Sequence, residues 1–390
     1  MTIPSPCPAP TTTCCVCGRG TEVVAHALPV SLSGYARAAA DRLDVEALAY
    51  FDGGAGDEIS RAANGRAWQV PTLVPRILRR LADGSTRCPL LGRTLAHPIL
   101  LAPVAYQRLA HPDGELAAAC AASAQGAGLV LSTQASVPLE AVSAAIADDP
   151  DRGPLWFQLY LQHDERFNRA LVRRVEAAGY EAIVVTVDAP CSGVRDRERA
   201  AGFELPHGVS AVNLADLPPR RAAPPGLCNG LVQNAPTWED IARLVRATRL
   251  PLLLKGVLHP DDARQAHAIG VAGIIVSNHG GRVLDTAIPT AHALPAVADA
   301  VGGKMAVLVD GGIRRGTDIV KALALGADAV LIGRPLVHGL AVAGAHGVAH
   351  VIRLLRDELE IAMALCGCAT IADIDASLLG PAQPSHSQPP

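Results

Sequence analysis

Charge of either sign is scarce in this 390-residue chain: Asp, Glu, Lys and Arg make up only 18%, against a usual share of about 25%. The two signs nearly cancel, leaving a formal charge of −3. There is no basic excess of the kind that draws a protein to nucleic acid. No uninterrupted apolar run approaches the roughly 18 residues of a membrane-spanning helix. Nor does an apolar stretch follow the first basic residue, Arg19, as a secretory leader requires. Metal-site spacing is missing too. Of ten cysteines only Cys14 and Cys17 stand as C-x2-C, with no second pair at zinc distance and His26 a lone candidate. What charge lacks, apolar residues supply: 49% are hydrophobic, enough to bury a large core and exclude general disorder. The expectation is a soluble cytoplasmic protein with free thiols, no metal, and no nucleic-acid or membrane partner.

Length alone would allow two or three domains, but a (β/α)8 barrel takes about 250 residues as one. Residues 1–30, rich in Pro, Thr and Cys, read as a mobile tail, and 377–390 as a second. Residues 31–66 read as a helical segment, with Leu43, Val45, Leu48 and Phe51 at helix-like spacing before a glycine break at 53–56. One domain is expected over 31–376. Within it eight short apolar runs recur: Ile99–Val104, Leu129–Ser132, Leu155–Tyr160, Ala182–Val187, Pro251–Lys255, Gly273–Ser277, Ala306–Asp310 and Ala329–Ile332. Their near-continuous apolarity suits strands covered on both faces. Amphipathic helical stretches alternate with them; in Asp318–Leu325, Thr317 is the expected N-cap. Alternation implies parallel pairing, and eight units fit an α/β fold of the TIM (β/α)8 barrel type. The fourth unit carries a long loop, 189–236, with Pro218-Pro219-Arg220-Arg221 and Pro224-Pro225 clusters. Loops of that length in compact domains are usually lids or binding elements.

Barrel chemistry sits at the C-terminal strand ends. Here these carry Pro103-Val104-Ala105, Ser132-Thr133-Gln134, Gln158-Leu159-Tyr160, Thr186-Val187-Asp188, Lys255-Gly256, Ser277 to Arg282, Asp310 to Arg314, and Gly333-Arg334. One polar strand end could cap a helix; a whole ring argues for a site. Gly311-Gly312 with Arg314, and Gly333-Arg334, stand after strands seven and eight, where barrels often bind phosphate. As separate loops they could be tight turns and surface ion pairs. Together they point to an anion. His279, following a strand and flanked by Asn278 and two glycines, reads as an active-site histidine rather than a packed one. A lysine entering a barrel, as Lys255 does, needs an anionic or electron-rich partner. Asp188 could pair with either His279 or Lys255.

These strings resemble the FMN-dependent L-2-hydroxy acid oxidases and dehydrogenases, a family that includes glycolate, lactate and hydroxymandelate oxidases. Ser277-Asn278-His279-Gly280-Gly281-Arg282, Asp310-Gly311-Gly312-Ile313-Arg314-Arg315-Gly316 and Ile332-Gly333-Arg334-Pro335 carry the likeness, in the family's order from about Ser31 to about Ala376. The resemblance implies FMN as cofactor and His279 as the base that takes the α-hydroxyl proton, with Asp188 stabilising its imidazolium. Arg195 and Arg282 would clamp the substrate carboxylate, a task suited to planar guanidinium groups, with Tyr50 and Tyr160 adding hydroxyls. Lys255 would face the flavin N1 side, Ser132, Gln158 and Thr186 would bond the ring, and Gly311, Gly312, Arg314, Gly333 and Arg334 its phosphate. Pro103, Val104, Ala105, Ser277 and Asp310 complete the implied cofactor site. Gln134 lines the substrate pocket where glycolate oxidase has an aromatic residue, and Cys191 and Val194 stand where it has arginines. The implied reaction oxidises an L-2-hydroxy acid to the 2-keto acid with O2, giving H2O2, in a homotetramer or homo-octamer. Ala105 resembles the oxidases where several dehydrogenases have glycine. A dehydrogenase passing electrons to a quinone or cytochrome is the alternative, and a silent phosphate-binding barrel is a third reading.

Overall fold

A computed structural model describes residues 27–220 and 226–381. Most of the two expected tails, 1–26 and 382–390, lies outside these residues, as do Cys14, Cys17, Arg221, Pro224 and Pro225. The packed chain runs past the expected boundary at 376. Leu378 is buried, Val74 N donates to Leu378 O, and Gly380 N donates to Thr72 O.

A short antiparallel hairpin, β1 (Cys88–Leu90) and β2 (Arg93–Leu95), precedes the barrel. Eight parallel strands follow: β3 (Ile99–Leu101), β4 (Gly128–Ser132), β5 (Leu155–Leu159), β6 (Ala182–Thr186), β7 (Leu252–Val257), β8 (Gly273–Val276), β9 (Ala306–Val309) and β10 (Ala329–Ile332). They close in the order β10-β3-β4-β5-β6-β7-β8-β9, the TIM barrel expected from the sequence. Six of the eight expected runs contain their strand; β4 begins one residue earlier, at Gly128, and β7 runs two residues further, to Val257, with Ser132, Gln158, Thr186 and Lys255 inside their strands.

The unbroken apolarity of these runs follows from where alternate side chains go. Leu100, Val130, Trp156, Val184, Leu253, Ile275, Leu308 and Leu331 fill the barrel interior, joined at its N-terminal mouth by Cys88, Leu90 and Leu95 of the hairpin. Their neighbours Ile99, Leu101, Leu129, Leu131, Ile183, Val185, Ile274 and Val276 point outward into the layer beneath the helices. Both faces of every strand are therefore dry.

Three helices cover residues 31–67: Leu32–Ala40, Val45–Asp52 and Ile59–Ala67. Ser31 and Asp44 cap the first two, accepting from Gly34 N and Ala47 N. The loop after β6 is not structureless. It carries the short helix Asp196–Ala200 and the 3₁₀ turns Val212–Leu214 and Leu227–Asn234 before the next helix starts at Trp238. One expected cap is wrong. The helix after β9 begins at Gly316 with Arg315 as its cap, and Thr317 lies inside it. The Asp318 carboxylate accepts from the backbone N–H groups of both Arg314 and Arg315 (2.9 and 3.0 Å), so a charged acceptor outcompetes the threonine hydroxyl for the helix start.

The last helix, Arg334–Cys366, is long and apolar enough by length and composition to cross a membrane, although no single run in it is uninterrupted. Its most apolar stretch is 61% buried within the protein, packed on Gly114–Gln125 and Leu32–Ala40. Ala343 and Gly344 leave helical geometry and break it in two. The break folds the halves together so closely that a Cβ on Gly347 would lie 2.0 Å from Gly339 O. Gly347→Ala must therefore push backbone apart. We expect it to cost roughly 1–3 kcal/mol, the usual range for overpacking, read as a lowered midpoint in denaturant titration of the holoprotein.

Candidate active site

The C-terminal ends of the strands surround a cavity of about 300 Å³. All but two of the expected site residues line it, including Tyr50, Gln134, Tyr160, Arg195, His279 and Arg282 on one side and Gly311, Gly312, Arg314, Gly333 and Arg334 on the other. Asp188 stands behind His279. Ser277 is wholly buried and does not line the cavity. Its hydroxyl accepts from Lys255 Nζ (2.9 Å) and from His279 N (3.0 Å), so it braces two site residues and is not a wall of the cofactor site.

His279 adopts the left-handed region, φ +57°, and Gly280 and Gly281 continue in it. Three such residues in a row turn the chain sharply at the strand end, and only short or polar side chains enter this region at low cost. Gly281 has no alternative, because a Cβ there would meet Arg61 N at 2.4 Å. The turn sets the imidazole with Nδ1 2.9 Å from Asp188 Oδ1 and Nε2 3.5 Å from the Tyr160 hydroxyl. An ionised Asp188 can only accept, so Nδ1 carries the hydrogen and Nε2 offers its lone pair to the cavity. Asp188 stays ionised. Burial pushes its carboxyl up, but His279 and Lys255 outweigh burial and hold it below the ordinary carboxylate value. Opposite it, Gly256 (φ +112°) leaves space that a Cβ would close to 2.4 Å from Asp188 Cβ.

Lys255 completes the array. The two pairings open to Asp188 resolve in favour of His279, and the lysine's partner is Asp310, at 3.0 Å. Burial alone would lower the ammonium pKa; Asp310 and Asp188 reverse that and raise it, so Lys255 is a fixed cation. Burial likewise holds the Tyr50 and Tyr160 hydroxyls protonated well above the ordinary phenol range.

The phosphate-type end is built where the N-terminal helices meet the barrel. Asn64 and Asn278 exchange reciprocal amide hydrogen bonds (2.7 and 2.9 Å), and Trp68 Nε1 donates to Gly311 O (2.7 Å). A Cβ on Gly312 would lie 2.4 Å from Asn64 O, so the glycine is required by that docking. Arg334 is heavily committed: its guanidinium donates to the carbonyls of Phe51, Gly53 and Gly280. Among the described residues the Arg314 guanidinium donates only to Ile313 O. Burial depresses both arginine pKa values, and repulsion from Arg61 adds to it. Arg282 also spends donors on the protein, with Nη1 on the carbonyls of Tyr50 and Gly53 and Nη2 on Glu198 Oε1.

These features fit FMN. Clustered, partly buried arginines call for a polyanion at the glycine loops. At the other end Gln158 Oε1 accepts from Ser132 Oγ and Thr133 N, leaving its buried Nε2 with no partner among the described residues. A buried amide donor without an acceptor is costly unless a ligand supplies one. Several cavity residues escaped the sequence reading. Tyr106, itself at φ +53°, lines the cavity beside Tyr50, whose ring also stacks on Phe203. Its place directly after Pro103-Val104-Ala105 was the available signal. Glu198 had none.

The chain matches the family described as FMN-dependent dehydrogenase over residues 39–381. It belongs to that family. Among its relatives are an L-lactate oxidase from a Roseobacter species, 51% identical over 90% of this chain and 95% of that protein, and a 4-hydroxymandelate oxidase from Amycolatopsis orientalis, 44% identical over 88% and 96%. A crystal structure of mandelate oxidase with (S)-2-phenylpropionate superposes with a TM-score of 0.81 at 45% identity, covering 90% of this chain and 98% of that one. As a member of this family the protein uses FMN.

Removing FMN should leave the arginine cluster repelling itself. We expect the stripped protein to regain thermal stability on adding inorganic phosphate, by the usual linkage of ligand binding to folding, and Arg314→Ala to abolish most of that gain. Because Arg314 makes little else in the fold, the same variant should lose roughly 1.5–3 kcal/mol of FMN affinity, measured by fluorescence titration. Unchanged retention through dialysis would remove Arg314 from the phosphate site.

Proposed function

We propose that this protein is an FMN-dependent oxidase of small L-2-hydroxy acids, with O2 as electron acceptor and H2O2 as co-product. The observation that carries the reading is the His279–Asp188 pair, aimed by its tautomer at a cavity that is also lined by Arg195, Arg282, the protonated Tyr160 and the buried Lys255. Oxidising a 2-hydroxy acid requires removal of the hydroxyl proton and of the α-hydrogen with its electron pair. Bound FMN supplies the acceptor for that hydrogen and its electrons.

The chain's own residues do the rest. Arg195, whose buried Nε has no partner among the described residues, and Arg282 hold the substrate carboxylate. Tyr160 donates to the substrate oxygen. His279 Nε2 takes the hydroxyl proton, and Asp188, 2.9 Å from Nδ1, stabilises the imidazolium that results. Carboxylate, oxygen and base contacts define three fixed points, so only one enantiomer presents its α-hydrogen toward the cofactor, and the resemblance assigns the L form. Ser132, Gln158, Thr186 and the backbone of Pro103, Val104 and Ala105 would hold the flavin ring, with Lys255 and Asp310 beside it. Gly311, Gly312, Arg314, Gly333 and Arg334 would hold its phosphate.

Ala105 and the oxidase names of the similar proteins support O2 as the acceptor. L-lactate is the first substrate to test, and the aromatic rings of Tyr50 and Tyr106 lining the cavity support a compact side chain. A homotetramer or homo-octamer is supported by exposed Ile77, Leu78, Ile361 and Leu365, since apolar groups in such numbers usually mark a contact surface. Arg76 N donates to Cys366 O, which brings these two segments together. The free cysteines among the described residues support a cytoplasmic setting.

His279→Gln should stay yellow but lower the rate of anaerobic flavin reduction at saturating L-lactate by about 10²–10⁴-fold, the usual worth of a general base. Reduction within about threefold of wild type would exclude His279 as the base, by the same magnitudes. Equal reduction by D-lactate would exclude the assigned chirality.

A further inference from the structure

A buried carboxylate stands behind the two substrate arginines and takes no part in the chemistry described above. Glu198 lies in the short helix Asp196–Ala200, three residues after Arg195 and on the same face of that turn. Its Oε1 accepts from Arg195 Nη1 at 3.0 Å and from Arg282 Nη2 at 3.2 Å. Glu198 and Arg282 side chains are each only 15% exposed, and Glu198 is not among the residues lining the cavity. The helix that carries it is fastened from the other side by Arg197 on Glu58 (2.5 Å). Its distance from the arginines is thus set by two independent ion pairs.

Two guanidinium groups sharing one mostly buried corner repel, and Arg195 is one cause of the lowered pKa of Arg282. Two arginines and one glutamate leave a single net positive charge. Of the other charged groups at the centre, Lys255 is matched by Asp310, and the ionised Asp188, hydrogen-bonded to the neutral His279, adds negative charge and no cation. One substrate carboxylate would neutralise the surplus at the arginines. A second carboxylate would find no surplus positive charge at the corner formed by Arg195, Arg282 and Glu198, and leaving a charge there uncompensated is expensive. We infer that Glu198 is a specificity-determining counter-charge that sets the carboxylate pocket at one net positive charge and so selects monocarboxylates over dicarboxylates. The inference rests on the reading that Arg195 and Arg282 hold the substrate carboxylate. It works by penalising the wrong ligand as much as by attracting the right one.

The test is ligand binding to the oxidised holoenzyme, followed by perturbation of the flavin spectrum. Pyruvate serves as the 2-oxo monocarboxylate and 2-oxoglutarate as the dicarboxylate. Glu198→Gln keeps the shape and one acceptor oxygen but removes the charge. The ratio Kd(pyruvate)/Kd(2-oxoglutarate) should rise at least tenfold in that variant, and the rise should shrink as salt is added. Glu198→Asp, which keeps the charge, should leave the ratio within threefold of wild type. Weaker binding of both ligands with an unchanged ratio would overturn the inference and make Glu198 only a prop for the arginines. Loss of FMN from both Glu198→Gln and Glu198→Ala would overturn it as well, by making the residue structural. The underlying reading fails separately: neither ligand would perturb the wild-type flavin, and Arg282→Lys would oxidise 2-hydroxy acids with wild-type kcat/KM.

Discussion

The constraint on which the rest of the structure depends is a crowd of positive charge that has to be held together. Arg282, Arg314, Arg334 and Arg61 gather at one end of the barrel, where burial lowers the pKa of Arg334 and Arg314 and repulsion from Arg61 lowers both further, joined at Arg334 by Arg282 and Arg314. Water would ordinarily relieve such a cluster, but burial removes much of it. Relief comes from oxygen atoms of the N-terminal segment. The carbonyls of Tyr50, Phe51 and Gly53, at the C-terminal end of the helix Val45–Asp52, accept from Arg282 and Arg334. That helix end carries partial negative charge by its own dipole. Asp52 adds a full charge: burial opposes its ionisation, but His338 and Arg334 hold its pKa down to about 2. The segment before the barrel is thereby a wall of the site.

A second charge array, at the centre, obeys the opposite logic. Lys255, one of only three lysines in the chain, is matched by Asp310, and His279 by Asp188. Here the groups are paired within the protein, although Asp188 Oδ2 and Asp310 Oδ1 are buried without a hydrogen-bond partner among the described residues. Pairing offsets much of the cost of burying them, and it fixes both the lysine charge and the histidine tautomer before any ligand arrives. At the rim, by contrast, the surplus is positive and only an anion can cancel it. The site thus separates a region prepared for proton transfer from regions prepared for binding phosphate and carboxylate.

This division explains what could be read from the sequence. Barrel strands were legible because apolarity on both faces leaves no alternation, and the change to polar residues at each strand end is abrupt. The strings around His279, Asp310 and Gly333 were legible because a glycine turn, a strand end and a charged residue fall within a few positions of one another. What was not legible joins residues far apart in the chain. The tie from Arg282 to Tyr50 O spans 232 positions and that from Arg334 to Phe51 O spans 283, and no periodicity reports such a contact. The choice of Asp310 over Asp188 as the lysine's partner is of this kind. So is the docking of Asn64 on Asn278. Ser277 was misplaced for a related reason: pleating turns its hydroxyl toward Lys255 and His279 instead of the cavity. Thr317 failed locally, where a neighbouring carboxylate took the backbone donors first.

Because the same arginines meet the N-terminal segment on one side and ligand anions on the other, the two sides are coupled. An anion that cancels part of the charge at Arg314 lowers the repulsion that Arg282 and Arg334 feel, and so strengthens their hold on Tyr50, Phe51 and Gly53. Any free energy that cofactor phosphate gives to that docking, docking must return as affinity for phosphate. Tyr50 sits on the docked helix and offers its ring to Arg282 at 5.2 Å. Filling the phosphate end therefore also steadies the segment that carries Tyr50, although the two ends share no side chain. A barrel that assembled its pocket before meeting the cofactor would have to hold four arginines together without the anion that makes their proximity tolerable.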